Sequence, residues 1–538
     1  MEADLFSASA VRDLLAVAVE LGADFAGDWS ASERDLAAEL PPADPSHVRT
    51  LRAEIRAGGD PLGEQFCRIR SPEQRRPQGA TYTPAVIVEA MLGWAKRYGQ
   101  AARVVDPGAG SGRFIVQAGR AMPRAALVAV EIDPVASLLC RAHVAAAGMA
   151  DRCEVKVADY RQVDLVPLGD DERTLFIGNP PYVRHHLIEH RWKKWLASEG
   201  RKLGLRPSGL AGLHVHFLVA TALKARAGDL ACFITSAEWL DVNYGRMVRE
   251  LFINGMGGRR IVLLSPTAKP FTDADTTAAI ICMEVGGKPD SVLVSKADDC
   301  AQLGALEGGR PVARGRLDQE NRWSSLVRRR RKAPAGFIEL GELFRAHRGQ
   351  VTGANAVWVA GKHSWPLPER LLFPSITRAR ELYDARGELT DLGHLRSVID
   401  IPADLDALAP RDRRMVEGFL ARAREMGAHE GYVARHRKAW WSVGLREPAP
   451  ILATYMARRP PAFVVNTAGA RHLNIAHGLY PREPIAKAML SRLAGWLNAN
   501  VSLDDGRTYA GGLTKFEPRE MERLLVPGPE LLCAGTEA

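Results

Sequence analysis

Closely spaced cysteines are absent from this chain of 538 residues. Its seven cysteines are scattered singly, mostly inside apolar runs, and no two form a Cys-x-x-Cys pair. Zinc sites and disulfide frameworks both depend on cysteines at characteristic spacings. Because disulfides are rare in the cytosol, the pattern predicts reduced thiols, no metal site and a cytoplasmic location.

Long hydrophobic segments are absent as well. No stretch approaches the ~20 consecutive apolar residues that a membrane-spanning helix requires. The segment Met1 to Leu15 carries three acidic side chains and lacks the basic-then-apolar order of a secretory signal. We therefore expect a protein without a membrane partner.

Two common nucleotide-binding loops are also missing. Residues 104–114, VVDPGAGSGRF, predict a strand end, a glycine-rich turn and a helix start. The spacing Gly-x-Gly-x-Gly departs from the dinucleotide fingerprint, and no Lys-Ser or Lys-Thr pair follows as in a phosphate loop. The glycines still allow the backbone to approach a ligand closely, so the turn predicts a binding site of another kind.

Acidic residues end the next two predicted strands. Glu131 lies 19 residues after Gly112, which is about the separation at which an acid reaches ribose hydroxyls. Asp159 follows the short strand 154–158 and has an oxygen suited to an adenine amino group. Either acid alone is more often a solvated strand end. In series at successive strand ends, they favour a nucleoside ligand.

The segment Asn179-Pro180-Pro181-Tyr182 follows the apolar run 175–178. Proline cannot donate to a sheet ladder, so the pair ends the strand and stiffens the loop at its carboxyl end. Open α/β sheets bind their ligands at this edge. The Asn179 side-chain oxygen and the Pro180 carbonyl oxygen would accept from a planar NH₂ group, with the Tyr182 ring beside them. The alternative is a turn that only ends a strand, since Asn-Pro is a common turn signal.

The chain divides into four predicted parts. Residues 1–75 predict a helical segment, and residues 76–300 show the strand–helix alternation of a doubly wound sheet. Residues 301–335 are polar and predict a basic linker that ends in the run 328–332. Such a run is usually solvated, although beside a duplex it would neutralise phosphates. Residues 336–538 predict a separate domain.

Charge and aromatic residues favour a polyanionic partner. The net charge is +9 and the isoelectric point is near 9.2, values that are also compatible with no nucleic acid. In the last domain, aromatic, basic and amide side chains are interleaved, which suits a nucleic-acid surface, although any one tryptophan is more often core. These residues are Trp365, Arg378, Arg380, His436, Arg437, Trp440, Trp441, Arg458, Arg459 and Asn474.

The order of these motifs resembles the S-adenosylmethionine-dependent N6-adenine DNA methyltransferases. More narrowly it is similar to their gamma class, in which the methionine-binding segment precedes the glycine turn and the target-recognition domain comes last. The resemblance implies a class I methyltransferase fold, an α/β doubly wound and mostly parallel sheet. It also implies an N-terminal helical segment and a C-terminal α+β target-recognition domain. Segments 463–466, 471–474 and 509–516 resemble parts of that domain.

The same resemblance implies a cofactor site for S-adenosylmethionine. Its methionine-binding segment would be 79–84, where Thr83 can cap a helix over 85–95 and Pro84 suits the first helical position. The residues implied for the cofactor are Thr81, Tyr82, Thr83, Asp106, Gly108, Gly110, Glu131, Asp159 and Asn179.

For the target base, the resemblance implies catalysis by Asn179, Pro180 and Tyr182. An adenine inside a duplex is out of reach, so it must be rotated out and held by stacking. Tyr182 would supply one face. Phe271, in the loop before the strand 278–284, would supply the other, with a core phenylalanine as the alternative.

The implied partner is therefore double-stranded DNA, methylated at N6 of adenine. A monomer is expected, and a separately encoded cognate restriction endonuclease is a further possible partner. Two other readings stay open. One is an RNA or protein-glutamine N-methyltransferase with the same loop, and the other is a catalytically inactive DNA-binding specificity protein. A fused nuclease is disfavoured, because no Asp…Glu-x-Lys cluster stands in a convincing strand context.

Overall fold

The computed structural model describes residues 2–70, 83–242, 245–265, 268, 271, 277–320, 323–327, 333–364, 366–508 and 513–534. The chain divides into two units, Met1–Arg329 and Arg330–Ala538. Several predicted features lie outside the described residues: Thr81, Tyr82, Trp365, the basic run 328–332 and positions 509–512.

The first unit is built on a nine-stranded sheet. Its strands are β1 Arg103–Asp106, β2 Ala126–Glu131, β3 Cys153–Val157, β4 Thr174–Gly178, β5 Leu230–Ser236, β6 Gly258–Leu264, β7 Ala278–Glu284, β8 Ser291–Ala297 and β9 Arg310–Ala313. Their order is β3-β2-β1-β4-β5-β7-β6-β8-β9. The first five strands run parallel, and β7 lies antiparallel between β5 and β6. The predicted doubly wound, mostly parallel sheet is confirmed.

Helices cover the sheet and precede it. They are α1 Glu2–Glu20, α2 Ala31–Ala37, α3 Pro45–Ala57, α4 Pro61–Ile69, α5 Ala85–Lys96, α6 Arg113–Ala121, α7 Pro134–Ala146, α8 His190–Lys202, α9 Leu213–Lys224, α10 Arg246–Glu250 and α11 Arg314–Gln319. The two faces of the sheet bury separate cores, because successive strand residues point to opposite sides. Val104 belongs to one core and Val105 to the other.

The N-terminal helices pack against α7. Their apolar faces share one buried cluster with that helix, which includes Leu15, Leu51 and Leu139. A buried ion pair joins the same elements, with Arg141 Nε 2.7 Å from Glu33 Oε1. Asp44 and Asp60 cap α3 and α4, and a proline follows each at the first helical position.

The prediction of a basic linker over 301–335 is wrong for the described residues between 301 and 327, which belong to the first unit. Strand β9 pairs with β8 at the edge of the sheet, and α11 follows it directly. Trp323 is only 2% exposed, and its ring lies 6.0 Å from that of Trp239 and 5.9 Å from that of Phe252. Only Val312 of β9 is buried. A single buried residue in an edge strand leaves almost no alternating pattern in the sequence, which is why the segment resembled a linker.

The second unit is a mixed domain of short strands and helices. Its strands are β10 Phe337–Glu339, β11 Phe344–Arg348, β12 Leu372–Ile376, β13 Glu388–Leu389, β14 Arg396–Ile399, β15 Ile451–Thr454, β16 Met456–Ala457, β17 Phe463–Asn466, β18 Arg471–His472, β19 Ala476–Pro481, β20 Arg507–Thr508, β21 Thr514–Lys515 and β22 Leu525–Pro527. They form a five-stranded sheet, β11-β19-β15-β17-β13, together with two three-stranded sheets and the pair β10-β22.

The helices of the second unit pack outside these sheets. They are α12 Leu340–Leu343, α13 Asn355–Trp358, α14 Ala379–Asp384, α15 Pro410–Glu425, α16 Tyr432–Arg435, α17 Lys487–Asn500, α18 Pro518–Glu522 and α19 Pro529–Ala534. Leu493 and Leu497 of α17 share a core with Phe463 and Val465 of β17. In the described parts of both units, no helix has the length and apolar character needed to cross a membrane. No group of three or more potential metal ligands occurs among those residues.

Candidate active site

The carboxyl ends of β1 and β4 meet at one edge of the sheet. The two strands are parallel neighbours, with Val105 opposite Phe176. Asp106 and the loop that begins at Asn179 therefore emerge side by side. A Cβ atom on Gly178 would lie 2.7 Å from Asp106 Oδ1, closer than real contacts allow. The glycine before Asn179 is thus what lets the Asp106 carboxylate sit against this loop.

Asp106 is a fully buried acid with unused hydrogen-bonding capacity. Its Oδ1 accepts from the Gly108 amide at 3.4 Å, whereas its buried Oδ2 has no partner within the described part of the chain. Burial raises the pKa of the Asp106 carboxyl to about 8, and the nearby Glu131 contributes to the rise. A buried carboxylate of this kind favours a cationic ligand group, because a neighbouring positive charge stabilises the ionised form.

Glu131 binds the glycine turn to the end of β2. Its Oε2 accepts from the Gly110 amide at 2.8 Å, and its Oε1 accepts from the amides of Ile132 and Asp133 at 2.8 and 2.9 Å. Gly110 has a φ of +55°, a conformation that other residues rarely adopt. Each carboxylate oxygen can accept more than one bond, so Glu131 retains capacity for ribose hydroxyls at the mouth of the turn.

One cleft gathers five of the predicted site residues, whereas Asp106, Pro180, Tyr182 and Phe271 are not among the residues that line it. Gly108, Gly110, Glu131 and Asn179 all line it, and Thr83 does so as well. The lining residues that the sequence analysis missed include Phe66 of α4 and Ile132, which is 60% exposed. An apolar side chain directly after a strand-ending acid was the available signal for Ile132. Together the residues offer polar groups and apolar surface, a combination suited to a nucleoside.

Thr83 makes a contact that the sequence did not indicate. The Asn179 Nδ2 group donates to Thr83 Oγ1 at 3.1 Å. Helix α5 begins at Ala85, Pro84 precedes it, and no side chain caps it. The prediction that Thr83 caps this helix is therefore wrong, because its hydroxyl accepts from Asn179 instead. Asn179 opens the loop 179–182, which is called the amine-binding loop below after its predicted role.

A buried polar network connects α4 to the same place. Asp60 Oδ2 accepts from Ser111 Oγ at 2.7 Å and from Arg113 Nε at 3.0 Å. Arg113 also donates from a terminal nitrogen to the Thr83 carbonyl at 2.8 Å. The N-terminal segment thus supports both the glycine turn and Thr83. Asp60 was missed, although an Asp-Pro pair after two glycines is a recognisable helix start.

Tyr182 and Phe271 lie next to each other. Their ring centroids are 5.9 Å apart with an angle of 70° between the planes. Tyr182 is half-buried, and its hydroxyl oxygen has no hydrogen-bond partner among the residues that the structure describes. Burial raises the pKa of that hydroxyl well above its ordinary value. Phe271 is 4% exposed, which agrees with a core position, so its stacking role stays a prediction.

Asp159 is not among the residues that line the cleft. Its Oδ1 accepts from Arg161 Nε at 2.8 Å and from the Arg161 backbone amide at 3.0 Å. The ion pair holds the carboxylate at the end of β3. Its predicted contact with the cofactor adenine therefore stays a prediction.

In the second unit, some of the residues in segments predicted to bind nucleic acid have packing contacts. Trp440 and Trp441 pack against a buried cluster. Asn466 lies in a buried strand, and its side chain bonds to the backbone of Ala449 and Ala470. Arg459 lies over the Tyr383 ring at 3.3 Å. The predicted contact of this unit with nucleic acid stays a prediction.

Comparisons with known proteins identify the family. The N-6 DNA Methylase family matches residues 62–283. The family described as the C-terminal domain of the type II methyltransferase M.Eco57I matches residues 325–536. The catalytic part thus precedes the second domain, which is the order of the gamma class.

Individual relatives cover nearly the whole chain. The chain is 50% identical to the type II methyltransferase M.XamI of Xanthomonas campestris pv. amaranthicola, over 94% of this chain and 96% of that protein. It is 21% identical to the type II methyltransferase M.AccI of Acinetobacter calcoaceticus, over 86% and 87%. The solved structure of the type IIL restriction–modification enzyme MmeI in complex with DNA has a similar fold, with a TM-score of 0.52 and 14% identity over 86% of this chain and 71% of that one. The chain belongs to the N6-adenine DNA methyltransferase family and is a type II DNA methyltransferase of a restriction–modification system.

Proposed function

We propose that this protein transfers a methyl group from S-adenosylmethionine to N6 of an adenine rotated out of duplex DNA. One observation carries the proposal: the amine-binding loop and the glycine turn border the same cleft. A Cβ atom on Gly108 would lie 4.0 Å from the Asn179 carbonyl oxygen and 3.7 Å from Pro181. Such proximity aligns a donor on the turn with an acceptor in the loop, and alignment supplies much of the rate of a transfer reaction.

The residues present suit the cofactor. The buried carboxylate of Asp106 would bind the ammonium group of its methionine part, since Oδ2 has no partner in the described structure. Glu131 would accept from the ribose hydroxyls, and the exposed side chain of Ile132 would cover a face of the adenine. When bound, S-adenosylmethionine supplies an electrophilic methyl group on a sulfonium sulfur.

Asn179 and Pro180 would activate the acceptor. The lone pair of an adenine N6 is delocalised into the ring, which makes the nitrogen a poor nucleophile. If the Asn179 side-chain oxygen and the Pro180 carbonyl oxygen accept from the NH₂ group, they localise that lone pair. The same two dipoles stabilise the positive charge that develops on the nitrogen. The extra proton is lost after transfer, so the loop needs no strong general base.

Thr83 and Tyr182 would position these groups. The hydrogen bond from Asn179 Nδ2 to Thr83 holds the amide plane. The Tyr182 ring is half-buried beside the loop and offers a stacking surface to a flipped base. The chain carries Asp106, Glu131, Asn179 and Tyr182, and their presence supports an active enzyme over a catalytically inactive specificity protein. A monomeric state and a separately encoded endonuclease stay predictions.

The decisive experiment is expression in a bacterial host that lacks DNA methylation, followed by single-molecule sequencing of its DNA. We expect N6-methyladenine at one recognition sequence. The Asn179→Ala variant should give unmodified DNA while binding S-adenosylmethionine normally in calorimetry. Methylated cytosine, or modified DNA from the variant, would refute the proposal.

A further inference from the structure

A helical segment follows the amine-binding loop. Strand β4 ends at Gly178 and helix α9 begins at Leu213, and α8 lies between them. The Leu213 amide donates to the Val183 carbonyl at 2.9 Å. This hydrogen bond joins the two ends of the segment 183–213 next to Tyr182, and α8 lies within that segment.

The inner face of α8 rests on a layered set of rings and charges. The guanidinium carbon of Arg161 lies 3.5 Å from the centre of the Trp192 ring. Asp159 holds that guanidinium through an ion pair. One helical turn further on, the Trp195 ring stacks on His216 at 5.9 Å with an angle of 12°. These stacking and cation–π contacts fix the inner face of α8 against the end of the sheet.

The residues beneath α8 carry no net positive charge. His216 is buried, and burial together with the nearby Arg161 lowers its pKa to about 3, so its ring is neutral near pH 7. Its Nδ1 lies 3.3 Å from a terminal nitrogen of Arg161 and accepts from it. The charge of Arg161 is balanced by Asp159. The positive character of this region therefore comes from the outer face of the helix.

That outer face presents a row of exposed cations. Arg191, Lys194 and Arg201 follow a spacing of three and seven residues, which places them on one side of a helix. Arg191 pairs with Glu189, and Lys202 pairs with Glu199. Lys194 and Arg201 have no ion-pair partner within the described ranges. Over 184–206, seven Lys or Arg residues stand against two Glu: Arg184, Arg191, Lys193, Lys194, Arg201, Lys202 and Arg206 against Glu189 and Glu199.

We propose that α8 binds the sugar–phosphate backbone of duplex DNA beside the flipped adenine, with Lys194 and Arg201 neutralising phosphates. This inference rests on the proposed function, since it assumes that a duplex reaches the amine-binding loop. Seven residues of helix span about 10 Å, roughly three base-pair steps of the duplex. A helix that is fixed on its inner face and carries unpaired cations at that spacing can contact successive phosphates of one strand.

The test is the salt dependence of binding to a short duplex of arbitrary sequence, because phosphate contacts do not depend on sequence. In the full chain, the double variant Lys194→Ala/Arg201→Ala should lower the slope of log affinity against log salt by about 1.8, or ~0.9 for each phosphate contact. We expect a several-fold loss of affinity at about 100 mM salt, with unchanged cofactor binding.

Lys288→Ala is the matched control. Lys288 is exposed in the turn after β7. Because β7 is antiparallel to β5, with Glu284 opposite Leu230, that turn lies at the edge of the sheet away from the amine-binding loop. The slope of log affinity against log salt for Lys288→Ala should equal that of the protein without substitutions.

The outcomes separate this inference from the proposed function. If the double variant keeps the slope of the control while the unmodified protein methylates DNA, the α8 contact is wrong and the methyltransferase assignment stands. If binding to single-stranded RNA shows the same loss and duplex binding does not, the partner assigned to α8 is wrong. If the protein without substitutions does not methylate DNA, the proposed function is wrong, whatever the salt dependence of binding.

Discussion

The side-chain amide of Asn179 donates to the hydroxyl of Thr83 at 3.1 Å, although 96 positions separate the two residues. Thr83 stands just before α5, in the segment expected to bind the methionine part of the cofactor. Asn179 follows β4, in the loop expected to bind the target amine. This bond therefore connects the segment proposed to bind the cofactor with the loop proposed to bind the target amine. A change at Thr83 thus tests how the Asn179 amide is oriented.

Replacing Thr83 by valine should slow methyl transfer. Valine keeps the shape of threonine and removes the acceptor, which leaves the Asn179 amide less restrained. Loss of one bond to a buried partner costs about 1–3 kcal/mol, or roughly a 5- to 150-fold slower rate. The measurement is a single-turnover rate with saturating cofactor and DNA. The control Thr83→Ser keeps the hydroxyl and should stay close to the unmodified rate, and equal rates for the two variants would remove Thr83 from this role.

Replacing Glu131 by glutamine should weaken cofactor binding by roughly tenfold or more. Three backbone amides donate to the two carboxylate oxygens of Glu131. An amide side chain must direct its NH₂ group toward at least one of those donors, so the glycine turn loses its anchor as well as a charge. Calorimetric titration with S-adenosylmethionine measures the effect. The control is Glu154→Gln, which changes an exposed acid on the neighbouring strand β3 and should bind the cofactor normally. If Glu131→Gln binds the cofactor as tightly as this control, the role assigned to Glu131 is wrong.

Asp106→Asn should change how stability depends on pH. The pKa of Asp106 rises on folding from 3.8 to about 8, so the folded protein binds this proton more tightly than the unfolded chain. The unmodified protein therefore loses stability as pH rises between those values. Asparagine does not titrate and escapes this loss.

Between about pH 6 and about pH 8, the free energy of unfolding of the unmodified protein should fall by about 2 kcal/mol relative to Asp106→Asn. Urea unfolding of both proteins in the absence of cofactor gives this difference directly. Parallel stability curves would mean that the carboxyl is ionised across this range.

Phe271 allows stacking to be distinguished from packing. Phe271→Leu keeps an apolar side chain in a nearly buried position but loses the ring that meets Tyr182 edge-on. If the ring also touches the base, kcat should fall more than stability explains, and Phe271→Trp should retain more activity than Phe271→Ala. Phe252→Leu, at a buried phenylalanine in the core on the other face of the sheet, is the control for lost packing. If Phe271→Leu and Phe252→Leu have equal kcat values at a temperature where both are folded, Phe271 is a core residue and does not stack on the base.

Local motifs were predictable because their chemistry is confined to a few adjacent residues. The glycine turn, the acid at the end of β2 and the Asn-Pro-Pro-Tyr loop each combine a strand end with a residue of special backbone or hydrogen-bonding character. Parallel strands place such ends at one edge of a sheet, so their convergence on one cleft followed from the order of the elements.

Long-range pairing was not predictable in the same way. Asp60 meets Arg113 across 53 positions, and Arg161, which holds Asp159, lies against Trp192, 31 positions further along the chain. Each of these side chains is ordinary in its own stretch of sequence. Burial and the partner that burial brings near decide its role, and neither is visible in spacing.

The amino-acid order by itself determined the sheet, its glycine turn, the amine-binding loop and the order of the domains, because periodicity and turn chemistry act within a dozen residues. Only the tertiary structure decided that residues 301–327 complete the first unit, that Thr83 bonds to Asn179 instead of capping α5, and that the Asp106 carboxyl is buried with unused capacity. The physical reason is that desolvation and hydrogen-bond partners are properties of the packed chain, set by residues far apart in the sequence.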